Sequence, residues 1–180
     1  DGRERGGMSA SGPSGDLHQV TLLDLPVEVH RRASEHAQGL QREFDLIRRR
    51  DPDPDEVPSR LFALIDQLNA QFGGLNLDAD ETLQAAMERH DETVDLVYHL
   101  PLEAIEACRQ LGDLLDEADE YCRGGVGLLT LATPPESLAY RGWFLGEFVR
   151  QLEGAAPRPW PGFTDAGDPA DGPGAGPPVE

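Results

Sequence analysis

Residues 17–47 read LHQVTLLDLPVEVHRRASEHAQGLQREFDLI, and this stretch contains two different hydrophobic periods. Val20 and Leu22 alternate with more polar neighbours up to Leu25, a period of two that is typical of a strand. After Pro26 the apolar residues recur at three- and four-residue spacing, which predicts an amphipathic helix; they are Val29, Ala33, Ala37, Leu40, Phe44 and Ile47. The chain therefore begins its fold with a strand that leads directly into a long helix.

The same periods divide the rest of the chain. They predict helices over residues 27–50, 57–72, 79–90, 101–123 and 134–153, and strands over residues 18–24, 93–100 and 127–132. About five helices around a small sheet of about three strands make an α+β fold. Helical segments separate the strands along the chain, so an α/β arrangement stays open as the alternative.

The two ends of the chain differ in composition from its middle. Residues 1–16 are rich in glycine and serine, and residues 154–180 consist mainly of proline, glycine, alanine and aspartate. Such segments bury too little apolar surface to order themselves, so we predict one globular domain over residues 17–153 with disordered ends. Trp160 and Phe163 are exceptions in the second segment, and packing of this part on the domain stays an open alternative.

Within the domain we expect a core of large apolar residues taken from every predicted element. Its members are Leu40, Phe44, Leu61, Leu64, Leu68, Leu96, Leu111, Leu115, Leu129, Leu145 and Phe148.

The charge of the chain argues against two classes of partner. The 34 acidic residues outnumber the 15 basic ones, all of them arginine, and the formal net charge is −19. This charge repels nucleic-acid phosphates and anionic membrane surfaces. No apolar run approaches the roughly 20 residues of a membrane span, and Cys108 and Cys122 lie roughly 21 Å apart on one predicted helix, too far for a disulfide. We expect a soluble, cytoplasmic protein with reduced thiols.

Familiar catalytic and cofactor-binding motifs do not occur in the sequence. The chain has no nucleophile elbow, no zinc-binding H-E-x-x-H and no phosphate loop, which would need a lysine. His30 and His36 lie on different flanks of their helix, His90 falls at a helix end, and His99 is on the polar side of a strand, so a metal site is not favoured. We therefore predict no catalytic residue, no metal and no cofactor.

The last helix carries more aromatic residues than one buried face requires. Its predicted core face holds Leu138, Leu145, Phe148, Val149 and Leu152, and Trp143 lies about 140° from it at 100° per residue. Either a partner protein or the segment around Trp160 covers Trp143. The partner-binding residues predicted here are Tyr140, Trp143, Phe144 and Glu147, joined by Glu117 and Glu120 from an acidic stripe of the fourth helix. Solvated surface is the simpler interpretation of that stripe.

Three segments carry a resemblance to a group of proteins. Residues 117–123, 128–136 and 143–151, together with the opening 20–44, resemble uncharacterised actinobacterial proteins that accompany serine phosphatases and anti-sigma-factor kinases in partner-switching systems. The resemblance implies a role in signalling. The opening strand and helix are also similar to the anti-sigma-factor kinases of the histidine-kinase-like ATPase superfamily. The E-x-x-x-N and D-x-G-x-G motifs of that superfamily are absent, which implies lost ATP binding.

The sequence therefore favours a non-enzymatic regulatory or protein-interaction domain of bacterial signal transduction, with an unidentified protein partner. The alternative is a degenerate histidine-kinase-like ATPase fold or another domain that binds a nucleotide or small ligand. For a small-molecule sensor, the predicted pocket lies between the sheet and the last two helices, near Cys108 and Met87.

Overall fold

The computed structural model describes residues 16–50, 56–72, 74–123 and 133–164. Their elements, in chain order, are β1 (His18–Pro26), α1 (Val27–Arg50), α2 (Val57–Phe72), α3 (Leu77–Arg89), β2 (Thr93–Leu100), α4 (Ala104–Arg123) and α5 (Pro135–Leu152). The fold class is α+β, as predicted. The predicted strand over residues 127–132 lies outside the described residues.

The helices begin and end close to their predicted bounds, with two shifts. α3 begins at Leu77, after Asn76, whose side-chain oxygen accepts the backbone N–H of His99 at 2.8 Å instead of capping the helix. α4 begins at Ala104 and not at Pro101, because the chain first makes a turn in which the Ala104 amide donates to the Pro101 carbonyl. Among the described helices, none combines the length and the apolarity needed to cross a bilayer.

The sheet of the described residues consists of β1 and β2 paired antiparallel, with Leu22 opposite Leu96. α1, α2 and α3 lie between the two strands in sequence and return the chain in the opposite direction, so the α/β alternative does not apply to this sheet. The pairing is irregular between Leu22 and Leu25, where Asp24 adopts a φ of 50° and its amide donates to Asp95 Oδ1 at 2.8 Å. This bulge absorbs one residue, so Leu22 and Leu25 are both buried.

Two clusters of buried apolar residues form the core. The first joins the sheet to α5 and the start of α4; it contains Val20, Leu22, Leu25, Leu96, Leu100, Ala104, Tyr140, Phe148 and Leu152. The second joins α1, α2 and α4 and contains Leu40, Phe44, Leu61, Leu114 and Ala118. The two clusters both include residues of α4 but have no buried residue in common.

Five of the predicted core residues are buried, namely Leu40, Phe44, Leu61, Leu96 and Phe148. Leu64, Leu68, Leu111, Leu115 and Leu145 are only half-buried, and Leu129 lies outside the described residues. Four of the half-buried leucines line two apolar cavities that are partly open to solvent: Leu68, Leu111, Leu115 and Leu145. Their partial exposure is therefore explained by their place on the cavity walls.

The buried face of α5 is rotated from its predicted position. Phe148 and Leu152 are buried as expected, but Leu138 is 38% exposed, while Tyr140 and Glu147 are buried. The prediction for Leu138 is wrong because residues 154–164 fold back over α5 and α1 packs against its Tyr140 side. Both segments that cover α5 lie outside this helix, so the apolar pattern of α5 does not reveal them.

Candidate functional site

An apolar cavity of about 260 Å³ lies between α1, α2, α4 and α5, and we call it the α1–α5 cavity. Its apolar walls include Ala33, Leu40, Leu61, Ile65, Leu111, Leu115, Phe144 and Leu145. Protein interiors are normally packed as densely as organic crystals, with few voids larger than a water molecule. An opening of this size among apolar side chains is therefore a candidate ligand site.

A second apolar cavity of about 210 Å³ lies against the sheet, between β2, α2, α4 and α5. It contains Cys108 on its wall, and it shares Leu111, Phe144 and Leu145 with the α1–α5 cavity. This is the position predicted for a small-molecule pocket, with Cys108 but without Met87. The three shared side chains form the partition between the two cavities.

A partly buried hydrogen-bonded array lies on the α1 and α5 walls of the α1–α5 cavity. His30 Nδ1 lies 2.7 Å from the Tyr140 hydroxyl, and His30 Nε2 lies 3.2 Å from Ser34 Oγ. Burial lowers the pKa of the His30 imidazole below its usual value of 6.5, so the ring is neutral at pH 7. Burial also raises the pKa of the Tyr140 phenol, which therefore keeps its proton.

A neutral imidazole donates at one ring nitrogen and accepts at the other. His30 therefore donates one of its two hydrogen bonds, to Tyr140 or to Ser34, and accepts the other. Ser34 also lines the cavity, so its hydroxyl faces a bound molecule.

A second hydroxyl, that of Ser137 on α5, opens on the same cavity. Ser137 is only 6% exposed, and among the described residues its hydroxyl has no hydrogen-bond partner. The hydroxyl oxygen keeps some accessible surface, since no fully buried side-chain oxygen or nitrogen among the described residues lacks a partner. Its position on the cavity wall leaves it free to bind a ligand.

The other polar wall of the cavity is a closed ion-pair network. Asp119 accepts hydrogen bonds from Arg141 at 2.7 Å and from the Thr133 hydroxyl, and Thr133 in turn lies 3.0 Å from His36 Nε2. Arg141 also pairs with Asp116 at 2.6 Å. Asp119 is 5% exposed because α5 brings Arg141 over it. The guanidinium on this wall is therefore already neutralised.

Residues 154–164, which we call the C-terminal strap, lie over the aromatic side of α5. The Trp160 ring meets Trp143 at a centroid distance of 5.5 Å and Tyr140 at 5.8 Å. The Trp143 indole N–H donates to the Arg158 carbonyl at 3.3 Å. Of the two predicted coverings for Trp143, the structure therefore contains the one provided by the chain itself.

Glu147 anchors the C-terminal strap from beneath. It is 3% exposed, and its carboxylate accepts hydrogen bonds from Arg150 at 2.5 Å and from the backbone N–H of Arg158 at 3.0 Å. Gln151 donates to the same carboxylate and also bonds the backbone N–H and carbonyl of Thr21 in β1. One polar cluster thus ties α5, β1 and the strap together.

The predicted partner-binding residues divide between two helices. Tyr140, Trp143, Phe144 and Glu147 are together on α5, where Tyr140 and Glu147 are buried and the other two are half-buried. On α4, Glu117 pairs with Arg60 at 2.6 Å and Glu120 is exposed. The sequence did not predict binding roles for His30, Ser34 and Ser137, because no local motif connects residues of α1 with residues of α5.

The remaining reactive side chains are placed differently. Burial raises the pKa of the Cys108 thiol to about 11, so it stays protonated and weakly nucleophilic. His90 adopts a left-handed φ of 59° at the end of α3, and His99 is exposed on β2. Across residues 16–50, 56–72, 74–123 and 133–164, no three histidine, cysteine or acidic side chains group as metal ligands would.

No protein-family model, curated protein or solved structure matches this chain. The relation to actinobacterial partner-switching regulators therefore stays a prediction from the sequence.

Proposed function

We propose that this chain is a non-enzymatic domain that binds a small, mainly apolar molecule in the α1–α5 cavity and serves as a sensor in regulation. This function corresponds to the small-ligand-binding alternative that the sequence left open. The observation that carries the proposal is a 260 Å³ space with apolar walls and two accessible hydroxyls on one side. Apolar walls with a few polar groups are the usual make-up of a small-molecule site.

An enzyme fits these residues less well. Ser34, His30 and Tyr140 have the order of a nucleophile, a base and an orienting group. Acyl transfer also needs free backbone N–H groups to bind the developing oxyanion. Ser34 lies inside α1, where the helix itself uses the backbone amides. The array therefore favours recognition over catalysis.

A nucleotide is also disfavoured in this cavity. Its phosphates need cations that are not already paired. Arg141 is the arginine on the cavity wall, and it pairs with both Asp116 and Asp119. The guanidinium that could bind a phosphate is therefore already neutralised.

The sensor part of the proposal depends on Tyr140. Its hydroxyl belongs to the array on the cavity wall, and its ring contacts Trp160 of the C-terminal strap. A ligand that moves Tyr140 therefore also changes how the C-terminal strap packs on α5. Ligand binding in the cavity thereby alters the molecular surface.

A cavity-filling substitution tests the proposal. Ethylbenzene serves as a neutral probe, and we expect it to raise the melting temperature of the wild-type chain, because a ligand that binds only the folded state stabilises it. In Ala33→Leu the added side chain enters the cavity, and the shift should disappear. Ala37→Leu fills the same cavity from a more exposed position.

Ala139→Leu is the matched control, since Ala139 is exposed on α5 and does not line the cavity. It should keep the full response to ethylbenzene. An equal shift in all four chains, or none in the wild type, would contradict ligand binding in the cavity.

Protein interaction is the second candidate, and the covered Trp143 favours it. If a partner protein displaces the C-terminal strap, Trp160→Ala should expose the surface formed by Tyr140 and Trp143. A synthetic peptide of residues 154–164 should then bind Trp160→Ala in trans but not the wild type. Failure of the peptide to bind the variant would count against this surface as a docking site.

A further inference from the structure

We propose that the α1–α5 cavity selects an uncharged ligand with one carbonyl or hydroxyl oxygen on a hydrocarbon body, and that the hydroxyls of Ser34 and Ser137 bind that oxygen. This inference rests on the proposed function, because it names the ligand class of the same cavity.

The first step is the position of the two serines. The contacts His30 to Tyr140, at 2.7 Å, and His36 to Thr133, at 3.0 Å, show that α1 runs antiparallel to the start of α5. Ser34 lies between the two histidines along α1, and Ser137 lies between Thr133 and Tyr140 along the other segment. Both serines line the cavity, so their hydroxyls occupy the same stretch of the α1 and α5 walls.

The second step is the supply of protons. The proposal assigns the His30 proton to Nε2, so that the ring accepts from Tyr140, donates to Ser34 Oγ and leaves the serine proton for the ligand. The Ser137 hydroxyl has no hydrogen bond among the described residues. A carbonyl oxygen has two lone pairs and accepts two such donors, and a hydroxyl oxygen does the same. An oxygen at this wall would therefore satisfy both serines at once.

The third step is the exclusion of charge. Arg141, the arginine of the cavity wall, is held by Asp116 and Asp119, so its charge is already balanced and does not attract a carboxylate. Asp119 is itself occupied by Arg141 and Thr133, and Asp116 is 76% exposed, so neither is available to an ammonium group inside the cavity. An unpaired ion among apolar walls loses its hydration without compensation. Neutral ligands are favoured for this reason.

Four probes of similar size separate these contributions: acetophenone, ethylbenzene, benzoate and benzylammonium. With the full chain in a calorimetric titration, we expect acetophenone to bind about 3 to 10 times more tightly than ethylbenzene, as one or two neutral hydrogen bonds allow. Benzoate and benzylammonium should each bind at least about tenfold more weakly than acetophenone.

Ser137→Ala and Ser34→Ala should each reduce the affinity for acetophenone toward that for ethylbenzene, and leave the affinity for ethylbenzene unchanged. Ser59→Ala is the control, because Ser59 lies on α2 and away from the cavity wall. Circular dichroism establishes whether each variant is folded. If Ser137→Ala does not fold, Ser34→Ala alone provides the test.

The possible failures are distinct. If ethylbenzene binds but acetophenone gains nothing, or the serine variants change nothing, the oxygen site is wrong and the apolar cavity still binds ligands. Tighter binding of benzoate or benzylammonium than of acetophenone would likewise overturn the neutral ligand class. If no probe binds, the proposed function and this inference both fail.

Discussion

His30 is the central residue of the cavity wall, since it joins Tyr140 on α5 to Ser34 on its own helix. Burial lowers the pKa of its imidazole below the usual 6.5. The folded chain therefore takes up this proton at a lower pH than the unfolded chain does. Below pH 6.5 the unfolded chain binds the proton first, so stability falls as the pH drops and levels off below the pKa of the folded state.

We predict that His30→Gln removes this part of the pH dependence, because glutamine does not ionise in this range. The free energy of unfolding, measured in urea between pH 5 and pH 8, should fall below pH 6.5 more steeply in the wild type than in the variant. The difference in slope is at most about 1.4 kcal/mol for each pH unit, the value for one proton. His99→Gln, at an exposed position on β2, should keep the wild-type slope. Equal slopes in wild type and His30→Gln would contradict a lowered pKa of the half-buried His30 imidazole.

α5 and the C-terminal strap form one unit through aromatic contacts, and Trp160 is the main residue of the strap in this contact. We predict that Trp160→Ala lowers the free energy of unfolding by about 1 to 3 kcal/mol, because it removes a half-buried indole and two edge-to-face pairs. The variant retains Trp143 as its remaining tryptophan, and the fluorescence of that residue should shift to the red as water reaches it.

Phe163→Ala gives the comparison, since Phe163 is 36% exposed in the same strap. It should change stability by less than about 0.5 kcal/mol, as is usual for surface positions. If the emission of Trp143 in Trp160→Ala stayed at the wild-type wavelength, the strap would not be its cover.

Across the whole molecule, the packing density differs between the core clusters and the cavity walls. Phe44 is fully buried and meets Tyr121 edge-on at 5.7 Å, whereas Leu115 faces the α1–α5 cavity. We predict that Phe44→Ala costs about 3 to 5 kcal/mol, as for other buried aromatic residues. Leu115→Ala should cost only about 1 to 2 kcal/mol, because the side that faces empty space has few contacts to lose.

Denaturant unfolding of the two variants measures this difference. Ala139→Leu is again the surface control, and its free energy of unfolding should lie within about 0.5 kcal/mol of that of the wild type. An equal loss of stability in Phe44→Ala and Leu115→Ala would mean that the cavity closes in solution.

Hydrophobic periods in the chain were sufficient to predict every helix and strand among the described residues, and the α+β class with them. The reason is that a helix or strand buries side chains two to four residues apart, so its pattern is local. Prediction and structure agree least where the burial of a residue depends on segments that are distant in the sequence. Leu138 matches the local apolar pattern of α5 and is nevertheless exposed, because the strap and α1 cover a different face.

The candidate site depended on contacts that no local pattern contains. His30 and Tyr140 are 110 residues apart, and Asp119 is buried only because Arg141 reaches it from another helix. The sequence predicted that Trp143 needs a cover, since an indole opposite the core face is poorly placed in water, but it could not choose between a partner and Trp160. That choice, the antiparallel pairing of β1 with β2, and the space left between four helices follow from how whole helix faces meet, which is settled by packing and not by the period of any one segment.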